Sequence, residues 1–366
     1  MKKLLFVASS VYYKGDGYRT RIDMEIEKLK DNYSVTLFLP EFKKNIDFPK
    51  DINVIKYPTS YEKKFHYIKN NISFFSVLNQ LLKREKPIVI AESLIPAIKT
   101  YKLAKRNNCK FVFDCHGAEP SEFKLNNPGI KGSLLFFLLE WLESKVVNNS
   151  DLIVTVTKKQ YDYFNIHKNY VVFPMMPKND FLLEKSYRDE IRQKLGFRSD
   201  ELVFVYSGQN QRWQMCEETC ELFKSIKNVN SNARLLILTG CTDYFEKLLK
   251  EKGIENSVVM SVSHDEMPQY LDACDFGFCI RNSSIINQFA SPTKVLEYVA
   301  RNITPILSSY VGDFSETLLA EELALVIDGK SKLCLSRSNN NGREYVKKLN
   351  RQMVDDYRNA ILSLEG

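Results

Sequence analysis

The stretch "ASPTKVLEY", Ala290 to Tyr298, sets residue types with binding chemistry at helical spacing. Ser291 is of the N-cap type and Pro292 suits a first helical position, so a helix is expected to start here. The N–H groups of Thr293 and Lys294 would then point out of the helix end, where the helix dipole favours an anion. Lys294 adds a full positive charge. Glu297, three residues further on the same face, can accept hydrogen bonds from hydroxyls. A phosphate at the cap with a sugar ring beside Glu297 fits this spacing, and a nucleotide's diphosphate and ribose are the obvious pair. An ordinary capped helix with a surface lysine and glutamate fits it as well.

Other loops carry related chemistry. Gly15-Asp16-Gly17 lies between an apolar run and a helical pattern, with Arg19 and Arg21 following. Thr20 stands where a third glycine would complete G-x-G-x-x-G, so the loop is a phosphate- or sugar-facing candidate and not a dinucleotide fingerprint. His116-Gly117 follows the apolar run at Phe111. Gly208 ends the run Leu202 to Tyr206, and Arg212 follows within reach of a phosphate. Ser263-His264-Asp265-Glu266 has the S-x-x-E form and is expected to be a structural helix cap. No D-x-D occurs, and no other carboxylate pair suits a divalent ion beside a diphosphate. No metal or other cofactor is therefore expected, and cations and helix ends must carry any anionic charge. The eight cysteines include no C-x-x-C pair and are accompanied by only four histidines, which argues against zinc and for small core residues in a reducing cytoplasm.

These loops need a scaffold. At 366 residues the chain is long enough for two domains, and its 44% apolar and 27% charged composition is that of a globular protein. Buried strands are expected at Leu4–Ala8, Val35–Leu39, Ile88–Ala91, Phe111–Phe113 and Leu152–Thr155. Helical patterns such as Arg21–Leu29 and Ser133–Val147 lie between them. After a linker at Val171–Phe181 the pattern restarts at Leu202–Tyr206, Leu235–Leu238, Val258–Met260, Phe276–Cys279 and Pro305–Leu307. This alternation predicts an α/β protein of two Rossmann-like, doubly wound parallel-sheet domains, at 1–172 and 173–342. Residues 343–366 form one helix with an apolar stripe from Tyr345 to Ile361. Ligands of such sheets bind beyond the carboxyl ends of the strands, so a cleft between the domains is the expected site.

Charge is uneven. Residues 1–170 hold 28 Lys and Arg against 18 Asp and Glu, whereas the remainder is slightly negative. A basic first half suits an anionic partner or membrane surface. Tyr61–Leu82, with Lys63, Lys64, Phe65, Tyr67, Lys69, Phe74 and Phe75, suits an interfacial membrane contact, or equally an ordinary packed helix. MKKLLFVASS is expected to be a first strand and not a secretory leader, and SLLFFLLEWL at Ser133–Leu142 is too short to cross a bilayer.

The chain resembles the retaining GT-B glycosyltransferases of the glycosyltransferase family 4 type. The resemblance is strongest over Met267–Gly312, where "ASPTKVLEY" is similar to a helix start of bacterial polysaccharide enzymes. "YSGQNQRWQ" resembles the opening of their C-terminal domain. It implies a cytoplasmic, peripheral enzyme that moves a sugar from a nucleotide-sugar donor to a glycan or lipid-linked acceptor, with no nucleic acid partner. Glu297 would hold the ribose, and Lys294 with Ser291, Pro292 and Thr293 the diphosphate. His116 would face the donor sugar, Gly15 and Gly17 would form the loop between donor and acceptor, and the last helix, 343–366, would cross back to the N-terminal domain. Two departures stand out. Phe289 occupies the first glutamate of the family's E-x7-E motif, so that Asn287, Gln288 or backbone groups would take over its sugar contact. Gln209 replaces the arginine after the glycine, which leaves Arg212 and Arg281 to supply positive charge. A non-catalytic GT-B binding protein remains an alternative. So does a GT-B nucleotide-sugar epimerase using Glu119 and Glu122.

Overall fold

A computed structural model describes residues 1–14, 17–42, 46–59, 66–165, 167–327, 335 and 341–365, with the backbone only at 66–69. Gly15 and Tyr61–Phe65 therefore lie outside the described residues. The chain divides into two compact units, Met1–Pro174 with Met353–Gly366, and Met175–Gln352.

The first unit is built on β1 (Lys2–Val7), β2 (Tyr33–Pro40), β3 (Asn53–Tyr57), β4 (Ile88–Glu92), β5 (Phe111–Cys115), β6 (Leu152–Thr155) and β7 (Tyr170–Val172). All pair in parallel, in the order β3-β2-β1-β4-β5-β6-β7. Successive side chains on a strand face opposite ways. Leu4 and Phe6 enter one core with Val35, Leu37 and Ile90, whereas Leu5 and Val7 enter another with Phe38, Val89 and Phe111. Both faces are thus covered, which is why these strands read as continuous apolar runs. The last helix, Gly342–Leu362, contributes Val354, Tyr357 and Ile361 to the first of these cores. Within the helix at 66–85, Phe74 is also a core residue, while Ile72 and Phe75 are exposed.

The second unit holds β8 (Leu202–Ser207), β9 (Ala233–Leu238), β10 (Ser257–Met260), β11 (Phe276–Cys279), β12 (Thr304–Ser308) and β13 (Leu325–Ile327). These are again parallel, in the order β10-β9-β8-β11-β12-β13. In each sheet the strand order reverses once, between β1 and β4 and between β8 and β11. The crevice beyond the carboxyl ends at such a reversal is where open sheets bind ligands. The stretch expected to be a linker, Val171–Phe181, contains the boundary between the units at Pro174; it also completes β7, buries Phe173 and ends in a short 3-10 turn at Asn179–Leu182. The described helices include none long and apolar enough to cross a membrane.

One glycine fixes how the helix at Thr293–Ala300 sits on its sheet. A Cβ on Gly277, in β11, would stand 2.4 Å from the Tyr298 ring. Gly277→Ala is therefore expected to lower stability by about 1–3 kcal/mol through overpacking. Urea unfolding would show this as a lower midpoint with an unchanged slope.

Candidate active site

The helix predicted from "ASPTKVLEY" spans Thr293–Ala300, with Pro292 as its N-cap. The cap lies one residue later than the side-chain chemistry suggested. Pro292 has extended backbone, and its carbonyl receives the N–H of Val295 at 3.0 Å. Ser291 gives no capping bond, and its buried Oγ has no hydrogen-bond partner. The helix connects β11 to β12, so its N-terminus opens at the carboxyl end of the sheet.

Lys294 reaches back across that end. Its Nζ donates to the Ser207 carbonyl at 2.8 Å and to Gln214 Oε1 at 3.0 Å, and lies 4.4 Å from the centre of the Tyr206 ring. No carboxylate lies within ion-pair distance of it among the described residues. Loss of water around the ammonium, with Arg281 as a like-charged neighbour, lowers its pKa to about 8. Gly208 has a φ of +141°, and a Cβ there would meet Lys294 Nζ at 3.2 Å. The glycine thus serves both the backbone turn and the approach of the lysine.

Arg281 follows β11, next to β8 in the sheet, and is buried. Its Nη1 donates to the Trp213 carbonyl at 2.6 Å, its Nε has no partner, and no carboxylate lies within ion-pair distance of it among the described residues. Asn287 is fully buried. Its amide donates to Asn282 Oδ1 at 2.7 Å while its own Oδ1 is unpartnered. Glu297 is buried and meets His264 Nε2 at 3.3 Å. The helix expected to be capped by S-x-x-E starts later, at Met267, with Glu266 at its N-cap and no side-chain capping bond. Ser263 and Glu266 instead close a turn, the Ser263 N–H donating to Glu266 Oε2 and the Glu266 N–H to Ser263 Oγ, both at 3.3 Å. The turn thereby delivers His264 to Glu297, a role other than the capping foreseen for it.

The site gathers most of the sequence-assigned residues of this unit, with one exception. Arg212 is exposed and makes no ion pair or hydrogen bond among the described residues. Its turn contributes instead through the Trp213 carbonyl and the Gln214 side chain. Gln214, His264 and Tyr298 were not foreseen. The Tyr298 hydroxyl accepts from the Ser207 N–H at 2.9 Å, tying the helix to the end of β8. Phe289, at the position of the expected glutamate, is buried.

The first unit places a different arrangement at its carboxyl ends. Arg21 grips Asp114 with two bonds, of 3.1 and 2.8 Å, donates to the Phe173 carbonyl at 2.6 Å and pairs with Glu25 at 3.0 Å. Tyr357 donates to the other Glu25 oxygen at 2.7 Å. His116 Nε2 lies 2.9 Å from Glu92 Oε2 and 3.6 Å from Asp114 Oδ2. Burial opposes charge on His116, but Asp114 and the bond to Glu92 outweigh it and raise the histidine to about 9. Burial, with Asp114 as a like charge, pushes Glu92 up to about 7 against the pull of His116. Burial would also raise Asp114, but Arg21 and His116 hold it well below the usual carboxylate range. The ligand atoms of Glu92, Asp114 and His116 lie within 4.8 Å of one another. The guanidinium already occupying both Asp114 oxygens makes this a closed ion-pair network and a poor cation site. Gly17 is the first residue of the helix Gly17–Leu29. Glu119, raised to about 7 by burial, accepts the Leu94 N–H at 2.8 Å.

Comparison with known proteins agrees with this architecture. Residues 17–170 match the family described as Glycosyltransferase Family 4, and residues 187–338 match Glycosyl transferases group 1. No curated protein sequence matches the chain. Among solved structures, sucrose-phosphate synthase from Thermosynechococcus elongatus superposes with a TM-score of 0.76 at 14% identity, over 100% of this chain and 99% of that one. Anabaena HepE in complex with UDP gives 0.65 at 13% identity, over 98% and 93%. The lipopolysaccharide outer core galactosyltransferase WaaB gives 0.63 at 14%, over 99% of each chain. With its two parallel-sheet domains and its Family 4 and group 1 matches in tandem, the chain is a glycosyltransferase of GT-B fold.

Proposed function

We propose that the chain transfers a sugar from a nucleoside-diphosphate donor, with UDP-sugars favoured, to a glycan or lipid-linked glycan acceptor. The setting we propose is bacterial surface polysaccharide biosynthesis at the inner face of the plasma membrane. The observation that carries the donor half is the pair Lys294 and Arg281. Two cations beside one strand-order reversal, neither in ion-pair contact with a carboxylate among the described residues, are charge held ready for an anion. A helix N-terminus and the unpartnered Ser291 Oγ, Asn287 Oδ1 and Arg281 Nε add directed polar groups. Glu297, oriented by His264, is placed to accept ribose hydroxyls. UDP is favoured because HepE was solved with UDP and with UDP-glucose.

The reaction follows from where charge develops. The bond from the anomeric carbon to the diphosphate oxygen breaks, and its electron pair leaves with the phosphate. Lys294, Arg281 and the helix end stabilise that anion without a metal ion. The acceptor hydroxyl oxygen bonds to the anomeric carbon on the same face, retaining configuration, and its proton passes to the departing phosphate. No separate base is required. His116, protonated at neutral pH, is assigned to the donor sugar.

Lys294→Ala is expected to lower transfer from a UDP-sugar by roughly a hundredfold or more, and full activity would exclude the diphosphate assignment. UDP affinity should weaken as pH rises through about 8, where the free Lys294 loses its proton. Calorimetric titrations across that range should show the dependence in wild type and not in Lys294→Met.

His116 gives a second pH signature. Its folded pKa lies above the ordinary value of about 6.5, so the folded state holds the proton more tightly than the unfolded chain. This contribution is complete below about pH 6.5 and is lost as pH rises through about 9. The stability difference between wild type and His116→Asn should therefore be widest in mild acid and narrow above pH 9, as read from urea midpoints at each pH.

A further inference from the structure

The helix Ile130–Asn149 is built inside out. The residues it buries are Gly132, Glu143, Val146 and Val147. Those it exposes include Ile130 at 82%, Leu134 at 66%, Phe137 at 61%, Leu138 at 47% and Trp141 at 56%. Steps of four, three, one and three put these five on one face, on the opposite side from the buried glutamate. Scattered apolar residues on a surface need no explanation, but a continuous stripe over three turns does.

We infer that this face is the surface by which the chain rests on an anionic membrane. The charges bordering it choose a lipid occupant. Lys131 and Lys145 flank the stripe and are exposed, and Lys145 lies 5.6 Å from the Trp141 ring centre. Lys124, also exposed, lies 4.6 Å from the Phe136 ring centre. No exposed acid accompanies them on this helix. Glu140 is half-buried and accepts from the Tyr163 hydroxyl at 3.3 Å, and Glu143 is buried. Aromatic and aliphatic side chains framed by lysines are the composition of a helix lying in the headgroup region. A second copy seated on this stripe would set the same lysines against each other. The 20-residue helix is not apolar enough along its length to cross a membrane, so it can lie along a bilayer but not span it. This deepens the acceptor side of the proposed function and relocates the membrane contact from Tyr61–Leu82 to this helix.

The test uses the full chain with vesicles of phosphatidylcholine alone and of equal parts phosphatidylcholine and phosphatidylglycerol. Wild type should sediment with the anionic vesicles and not with the neutral ones. Phe137→Ser with Trp141→Ser should weaken that binding by roughly tenfold or more, and Lys131→Glu with Lys145→Glu should do the same. Both pairs alter exposed positions, so urea midpoints should stay at the wild-type value. Failure of wild type to bind anionic vesicles would overturn the inference. So would undiminished binding by both variants, or a dimer that the Phe137/Trp141 variant dissociates. UDP binding, measured in parallel, keeps the two readings separate: lost vesicle binding with intact UDP binding fails this inference alone, and the converse fails only the donor assignment.

Discussion

An ammonium and a guanidinium stand at the carboxyl end of the second sheet with no carboxylate in ion-pair contact with either among the described residues. Burying a charge is costly unless it is paired, and proteins normally supply the pair from their own side chains. Here Lys294 is held by a carbonyl, an amide oxygen and a ring face, and Arg281 by one carbonyl. Such groups orient a cation without cancelling it. Gly208 leaves room for the lysine, Gly277 lets the helix settle on β11, and Tyr298 ties that helix to β8. Much of the second unit's local detail serves to keep two positive charges together and uncompensated.

The first unit shows the opposite solution. Its buried arginine is answered by Asp114 and Glu25, and its histidine by Glu92. Charge there is spent internally, and what the network delivers is position. His116 is fixed by carboxylates that also keep it protonated. Tyr357, from the last helix, closes the far side of the same network through Glu25, so the end of the chain helps to set the electrostatics of a loop more than two hundred residues earlier.

Most of this architecture was legible in the sequence, and the exceptions have physical causes. The central strands announced themselves because sheets covered on both faces need unbroken apolar runs. β3, β7 and β13 went unseen because edge strands are only half covered and carry mixed residues such as Asn53-Val-Ile-Lys-Tyr57. Ser291, Lys294 and Glu297 stood out by type and spacing, Gly208 by its place after a strand, and Arg281 and Asn287 only as replacements for residues that the family resemblance leads one to expect; the structure sets all six around one end of the second sheet. Arg212 is exposed, whereas Gln214, two residues on, meets Lys294, a contact that only the turn at Arg212–Gln214 decides. His264 was hidden behind an S-x-x-E pattern that read as a helix cap; the segment folds as a turn before the helix at Met267, and that turn carries His264 to Glu297. The apolar run at Ser133–Leu142 predicted a helix, but which face it would bury depends on packing that no periodicity in the run reveals.

The central claim is that the uncompensated charge of the second unit exists for a nucleoside diphosphate. A thermal-shift panel of UDP, GDP, CDP, dTDP and ADP, each with magnesium and with EDTA, tests it most directly, since a ligand bound only by the folded state must raise the melting temperature. The account predicts a clear rise with one nucleotide, UDP foremost, of equal size in EDTA and absent in Lys294→Ala. Unchanged melting with every nucleotide, or a rise that Lys294→Ala preserves, would contradict it.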